Sequence, residues 1–270
     1  MQAILDGDGA MVRESAEPEQ PLTGGMVNTV VRVGDTVRRT AGPWTPAVHA
    51  VLEHLERVGF DRAPRALGLD DQGREVLSFL PGTPADRPWP EVLRTGDGLR
   101  QLAEMVADLA VALASFEAPP DAVWRSGGVP RDGRRVLRHG DLGPWNTLWD
   151  GDRLVGLIDW DFLEPAPELW DFAQLAWFAV PLRPEPKGWR TCGFAEEPDH
   201  LARLELIADH AGVSAADLAA TLLDLQACDR DRMLTWGRAG IHPYDSFLER
   251  GLVAEIEAES RWLRDQLRLA

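Results

Sequence analysis

Two short segments constrain this chain more than anything else in it. The first, Arg138-His139-Gly140-Asp141-Leu142-Gly143-Pro144-Trp145-Asn146, sets His, Asp and Asn at fixed offsets along one loop. The second, Leu157-Ile158-Asp159-Trp160-Asp161, ends an apolar run on a carboxylate. Between them Asp150-Gly151 divides two apolar runs, which is a strong hairpin signal. A hairpin there brings Asn146 and Asp159 together at its open end. An amide oxygen and a carboxylate on adjacent strands suit Mg²⁺, which keeps several waters and takes further ligands from phosphate. Asp141 adds a third oxygen-bearing group, a carboxylate able to accept the proton of an attacking hydroxyl.

The segments before this core alternate strand and helix signals. Residues to about Gln20 read as a mobile leader, acidic and without the basic start of a signal peptide. Thr23-Gly24-Gly25 then feeds an alternating β-branched run to Arg32, with Gly34-Asp35 as the turn into Thr36-Val37-Arg38-Arg39. Glycines of this kind let backbone N–H groups come close to phosphate oxygens, although a Gly-Gly pair alone also makes a plain turn. Thr45-Pro46 predicts a helix start, with Thr45 as cap, and Val48, Val51, Leu52, Leu55 and Val58 continue it at helical spacing as far as Gly59. Glu75 to Leu80 reads as a strand broken by Pro81-Gly82. Leu99 to Phe116 is an amphipathic helix stopped by Pro119-Pro120.

After the core, Pro165-Ala166-Pro167 leads to Glu168 and a helix through Asp171, Leu175 and Phe178. The remainder is helical: Pro198 to His210, then a capping box at Ser214–Asp217 opening a helix to about Met233, then one long helix from Asp245 to Leu269. No internal repeat is visible.

Composition excludes more than it selects. A formal charge of −16 repels nucleic acid and anionic membrane surfaces and attracts cations. Two cysteines make no disulfide framework, and no apolar run reaches the ~20 residues of a membrane span, so a cytoplasmic location without membrane or nucleic-acid partners is expected.

The spacing His139-x-Asp141-x-x-x-x-Asn146, followed by the strand-end Asp159 in Ile-Asp-Trp-Asp, resembles the catalytic core of the protein-kinase-like fold. It looks most like the aminoglycoside phosphotransferase (APH) branch, which also holds small-molecule kinases. The resemblance runs from about Thr23 to Val180. It implies an α+β, two-lobe fold: a small antiparallel-sheet N-lobe with one helix over residues 21–80, and a mainly helical C-lobe over 81–270. ATP and Mg²⁺ are the implied cofactors. Asp141 would be the catalytic base, Asn146 and Asp159 the metal ligands, and His139 and Asp171 the structural support of the loop. Gly24 and Gly25 would cover the phosphates, Arg38 (or Arg39) would supply the cation on the returning strand, and Ser78 and Leu80 would meet the adenine edge at the hinge. Two departures stand out. Arg replaces the family's usual strand Lys, and Val48 or His49 falls where the helix normally offers Glu.

Between Asp159 and Ala166 there is no room for a regulated activation segment, which favours a small-molecule acceptor over a protein. A phosphotransferase acting on a hydroxyl is therefore expected, with an aminoglycoside-type antibiotic as the leading acceptor because polyamines match the acidic balance. Another metabolite (an amino alcohol, a sugar or a small peptide) is the alternative acceptor. A nucleotide-binding immunity or scaffold protein without turnover is the alternative from another class. The many tryptophans read mainly as packing, with one or two lining the acceptor pocket, since sugar faces stack on indole.

Overall fold

The computed structural model describes residues 18–22, 30–127 and 135–267. Gly24, Gly25 and residues 1–17 of the expected leader lie outside the described residues, and the last leader residue, Gln20, is in a strand. The chain divides into two compact units. One takes the described residues as far as Ala41 together with Leu67–Phe79, and the other takes Gly42–Ala66 and the chain from Leu80 onward.

The first unit is an antiparallel sheet. Its strands are β1 (Gln20–Pro21), β2 (Val30–Val33), β3 (Thr36–Thr40), β4 (Ala66–Leu69, all but its first residue in this unit) and β5 (Arg74–Ser78), in the order β1-β2-β3-β5-β4. Gly34 takes the left-handed conformation, φ 58°, that a two-residue hairpin between Val33 and Thr36 requires. Strand β5 stops at Ser78, short of the run to Leu80 expected from the sequence.

Helix α1 (Thr45–Arg57) lies between β3 and β4 in the chain but belongs to the second unit. The lobe boundary read from the sequence grouped it with the sheet. It starts one residue earlier than expected: Trp44 is the cap, and Thr45 instead receives the Gly42 N–H on its Oγ1 at 2.9 Å. Its buried stripe, Val48, Val51, Leu52 and Leu55, is at most 1% exposed. His54 fastens α1 to the next long helix, with Nε2 2.9 Å from the Ala112 carbonyl.

The rest of the second unit begins with β6 (Thr83–Pro84), α2 (Glu91–Arg94) and α3 (Gly96–Leu113). Strand β7 (Arg135–Arg138) precedes the loop that holds Asp141, and β8 (Thr147–Asp150) and β9 (Arg153–Leu157) form the expected hairpin, with Asp150 opposite Arg153. Gln101 of α3 clasps this hairpin, accepting from Leu154 N–H and donating to Asp152 O, both at 2.9 Å. Strand β10 (Glu164–Pro167) pairs antiparallel with β7, where the sequence had suggested only a lead-in to a helix. Two prolines are tolerated because this is a two-stranded ribbon, in which each strand has an unpaired edge.

Helices α4 (Trp170–Ala179), α5 (His200–Ala211), α6 (Ala215–Arg238), α7 (Tyr244–Glu249) and α8 (Leu252–Leu267) complete the unit. The Ser214 hydroxyl accepts from Asp217 N–H at 3.1 Å, so the capping box read from the sequence opens α6. The single long helix expected after Asp245 is two, because Gly251 at φ 79° leaves the right-handed helical region between them. No single helix among the described residues is long and apolar enough to cross a membrane.

Candidate active site

The loop after β7 is held from beneath by α4. Asp171 accepts the His139 N–H at 2.9 Å and the Gly140 N–H at 3.4 Å. Gln174, one turn further along the same face, accepts the Leu142 N–H at 2.9 Å and donates to the Gly140 carbonyl at 3.0 Å. Two side chains thus satisfy four backbone groups that no strand or helix would otherwise pair. Gly140 sits at φ 82°, and a Cβ on it would run into the Phe162 carbonyl. Burial pushes the Asp171 carboxyl up to about 6, while Arg138 and the two N–H donors pull it back down.

His139 is fully buried and uses both ring nitrogens. Asp141 N–H donates to Nδ1 at 3.2 Å, which assigns the proton to Nε2, and Nε2 lies 3.2 Å from the Ile158 carbonyl. The ring also meets Trp160 edge to face at 4.7 Å. Each of these contacts ties the ring to the loop or to the strand end beside it.

Asp141, Asn146 and Asp159 come together. Asn146 Nδ2 donates to the Asp141 carboxylate at 2.8 Å and to the Asp141 carbonyl at 2.9 Å. The Ile158 N–H donates to the Asn146 carbonyl at 2.9 Å, joining the loop to the residue before Asp159. Asp159 itself has φ 63° and ψ 67°, a left-handed conformation that Asp tolerates better than most residues. The Asp141 carboxyl is pushed up to about 7, first by burial and then by the negative charge of Asp159, against hydrogen bonds from the Asn146 and Trp145 side chains. A second carboxylate this close to Asp141 makes the pair cation-seeking. The Asn146 amide nitrogen is turned to Asp141, so its oxygen is the atom left to face a cation. Among the described residues no three His, Cys, Asp or Glu side chains cluster as a self-sufficient metal site. An amide oxygen beside carboxylates is a hard-oxygen donor set that fits a Mg²⁺ whose coordination would be completed by phosphate and water.

Buried charges that the sequence did not reveal brace this arrangement. Glu164 on β10 is fully buried between Arg138, whose Nε is at 3.0 Å, and Arg232 of α6, whose Nη2 is at 2.9 Å; the Ser126 hydroxyl bonds to it as well. The two guanidinium groups hold the Glu164 carboxyl below its ordinary value despite burial. Asp161, two residues past Asp159, is 3% exposed and accepts from Arg125 Nη1 at 2.8 Å. The Arg125 guanidinium lies over Trp44 at 4.5 Å and Phe162 at 4.9 Å. Gln174, Arg125 and Arg232 are far from the motif in sequence, and no local pattern announces them.

In the sheet unit, Arg38 and Arg39 point to opposite faces of β3. Arg39 is buried and paired with Glu75, directly opposite it on β5. Arg39 thus finds its carboxylate on the neighbouring strand. Arg38 bonds to the Thr36 hydroxyl and lies 3.7 Å from Asp70, with its side chain 19% exposed. Ser78 ends β5 opposite Thr36. Leu80 begins the second unit, where its side chain packs over Gly156.

A model of the phosphotransferase enzyme family (APH) matches residues 111–188, the stretch that holds Asp141, Asn146, Asp159 and Asp171. The match is confined to that stretch of the chain. Trifolitoxin immunity protein of Rhizobium leguminosarum bv. trifolii is 39% identical over 166 residues, which span 60% of this chain and 62% of that protein. Among solved structures, a choline/ethanolamine kinase family protein from Mesorhizobium loti is 16% identical with TM-score 0.57, covering 94% of this chain and 93% of its own. A thermostable mutant of an aminoglycoside phosphotransferase, in ternary complex with AMP-PNP and hygromycin B, is 14% identical with TM-score 0.53, covering 92% and 95%. These likenesses establish the protein-kinase-like α+β fold of the APH and choline kinase families for this chain.

Proposed function

We propose that this protein is an ATP-dependent phosphotransferase that moves the γ-phosphate to a hydroxyl of a small molecule. The observation that carries the reading is the convergence of Asp141, Asn146 and Asp159, with Asn146 bonded to the Asp141 carboxylate. In this reading Asp141 orients the acceptor hydroxyl and takes its proton, a role suited to a carboxyl poised near neutrality. Asn146 and Asp159 would hold Mg²⁺, which supplies charge neutralisation at the nucleotide phosphates. His139, Asp171 and Gln174 keep the loop fixed while the proton moves. Arg38 is the proposed phosphate cation, Gly24 and Gly25 the backbone cover, and Ser78 and Leu80 the groups for the adenine edge. The AMP-PNP in the solved aminoglycoside enzyme supports ATP as the donor.

The test is nucleotide consumption across a panel of alcohols that includes aminoglycosides, amino alcohols, sugars and short peptides. Asp141→Ala is expected to lower turnover about 10³-fold while nucleotide affinity stays nearly unchanged. Activity that survives this substitution would remove the assignment. A second reading is favoured by the immunity protein's name: protection from a toxin, with or without turnover. Mg²⁺-dependent ATP binding with no transfer to any acceptor would select the version without turnover.

A further inference from the structure

If the acceptor were a polycation, the helical part of the second unit should aim carboxylates at the catalytic loop. Four of the acids there are engaged with other groups. Asp229 lies 3.8 Å from Arg232, Asp231 accepts from Arg230 at 2.7 Å, and Asp245 faces His242 at 3.4 Å. Glu259 accepts the Trp177 indole N–H at 2.6 Å and lies 3.5 Å from Arg183. The carboxylate that acts most strongly on Asp141 is Asp159, from the site itself.

What does stand beside Asp141 is aromatic. Trp145 hydrogen-bonds to the Asp141 carboxylate, and its ring meets Phe178 of α4 at 4.8 Å with the planes tilted by 59°. Phe178 is stacked on Trp177 at 4.8 Å. Trp145 and Phe178 are both partly exposed, while Trp177 is buried behind them. The place of the Trp145 ring is built into the backbone: it covers Gly143, where any Cβ would collide with it. Gly143 has an ordinary φ of −105°, so glycine is needed there for space rather than for backbone freedom. The cation over Phe178 is the protein's own Arg183, 5.9 Å from the ring centroid. That leaves the wall suited to an uncharged flat group more than to an ammonium.

We infer that Trp145 and Phe178 form the specificity wall of the acceptor site, and that the acceptor is an uncharged alcohol bearing an aromatic ring. The ring would pack in the corner of the two side chains and bring its hydroxyl to Asp141. This rests on the phosphotransferase reading for the chemistry but not for the binding. It also displaces the aminoglycoside as the leading acceptor.

The experiment measures equilibrium binding of N-acetylphenylalaninol, kanamycin, choline and glucose to the full chain by calorimetry, with phosphoryl transfer to each followed in parallel. N-acetylphenylalaninol is expected to bind more tightly than the other three. Phe178→Leu, which keeps volume without the ring, is expected to weaken it roughly tenfold. Trp145→Phe, which keeps a ring, should hold the affinity within about threefold. Kanamycin or choline binding more tightly than the aromatic alcohol, no detectable binding of the aromatic alcohol, or indifference to Phe178→Leu would each overturn the inference. Ring-dependent binding without transfer to any alcohol would instead sink the phosphotransferase reading and leave the wall intact.

Discussion

Asp141 works under opposing demands. Burial and Asp159 raise its carboxyl to about 7, while the Asn146 and Trp145 hydrogen bonds and Arg138 favour the charged form. The deprotonated carboxylate is the form that accepts a proton, so with Mg²⁺ scarce kcat/KM should rise with pH and level off above about 7. A divalent cation beside Asp159 offsets one of the two causes of the upward shift. Saturating Mg²⁺ should therefore move the midpoint to lower pH, and pH profiles at two Mg²⁺ concentrations check the direction. At this scale the sequence was readable where chemistry fixes offsets. Asp141 and Asn146 share one loop, and a turn signal at Asp150-Gly151 folds Asp159 back onto it. Gln174 and Arg125 were not readable. They reach the site from 34 and 36 positions away, Gln174 at Gly140 and Arg125 at Asp161, and although Gln174 follows Asp171 by one helical turn, neither residue's local sequence specifies the group it meets.

The β7–β10 ribbon shows how an element can hide. Its second strand reads Glu-Pro-Ala-Pro, a sequence whose prolines argue against a strand until the pairing with Arg135–Arg138 is seen. The ribbon places Glu164 opposite Arg138, and α6 brings Arg232 to the same carboxylate. Replacing Glu164 by Gln would leave buried Arg138 without its bonded carboxylate and Arg232 with only Asp229, at 3.8 Å. The expected loss is about 3–5 kcal/mol of unfolding free energy, measured by urea denaturation, because removing one partner of a buried pair strands the other. A loss below about 1 kcal/mol would mean that water reaches these groups. Where local signals were strong, as in the Ser214 cap of α6, the element matched its reading. Where a single glycine decided the outcome, as at Gly251, the helical periodicity of the flanks concealed the break.

On the scale of the whole chain, neither compact unit is a continuous stretch. The sheet takes residues on both sides of Gly42–Ala66, and that insert, with α1, belongs to the other unit. A fragment beginning at Leu80 would lack Val48, Val51, Leu52 and Leu55, each worth roughly 1.5–3 kcal/mol of burial. It would also uncover the α3 surface that His54 meets at Ala112. Such a fragment is expected to lose cooperative thermal unfolding by circular dichroism, whereas the full chain keeps it. The division was half readable. The strand signals gave the sheet, but periodicity says only that a helix has a buried face and not what buries it. The charge of −16 remains a property of the molecule as a whole, because the tail acids with assigned partners spend themselves on neighbouring cations.

Asn146 and Asp159 flank the two strands of one ribbon, so their separation is governed by the rungs between β8 and β9 and by the grip of Gln101. The opposite tip, Asp150-Gly151, is exposed, and a Cβ added at Gly151 would meet no described atom within 4 Å. That tip is a natural splice point. A short epitope or fluorophore-bearing loop inserted there should leave the affinity for Mn²⁺, read by paramagnetic resonance, within about twofold, since loop length adds little once the rungs are formed. The chain thus offers a handle for reporting on its own chemistry without touching it.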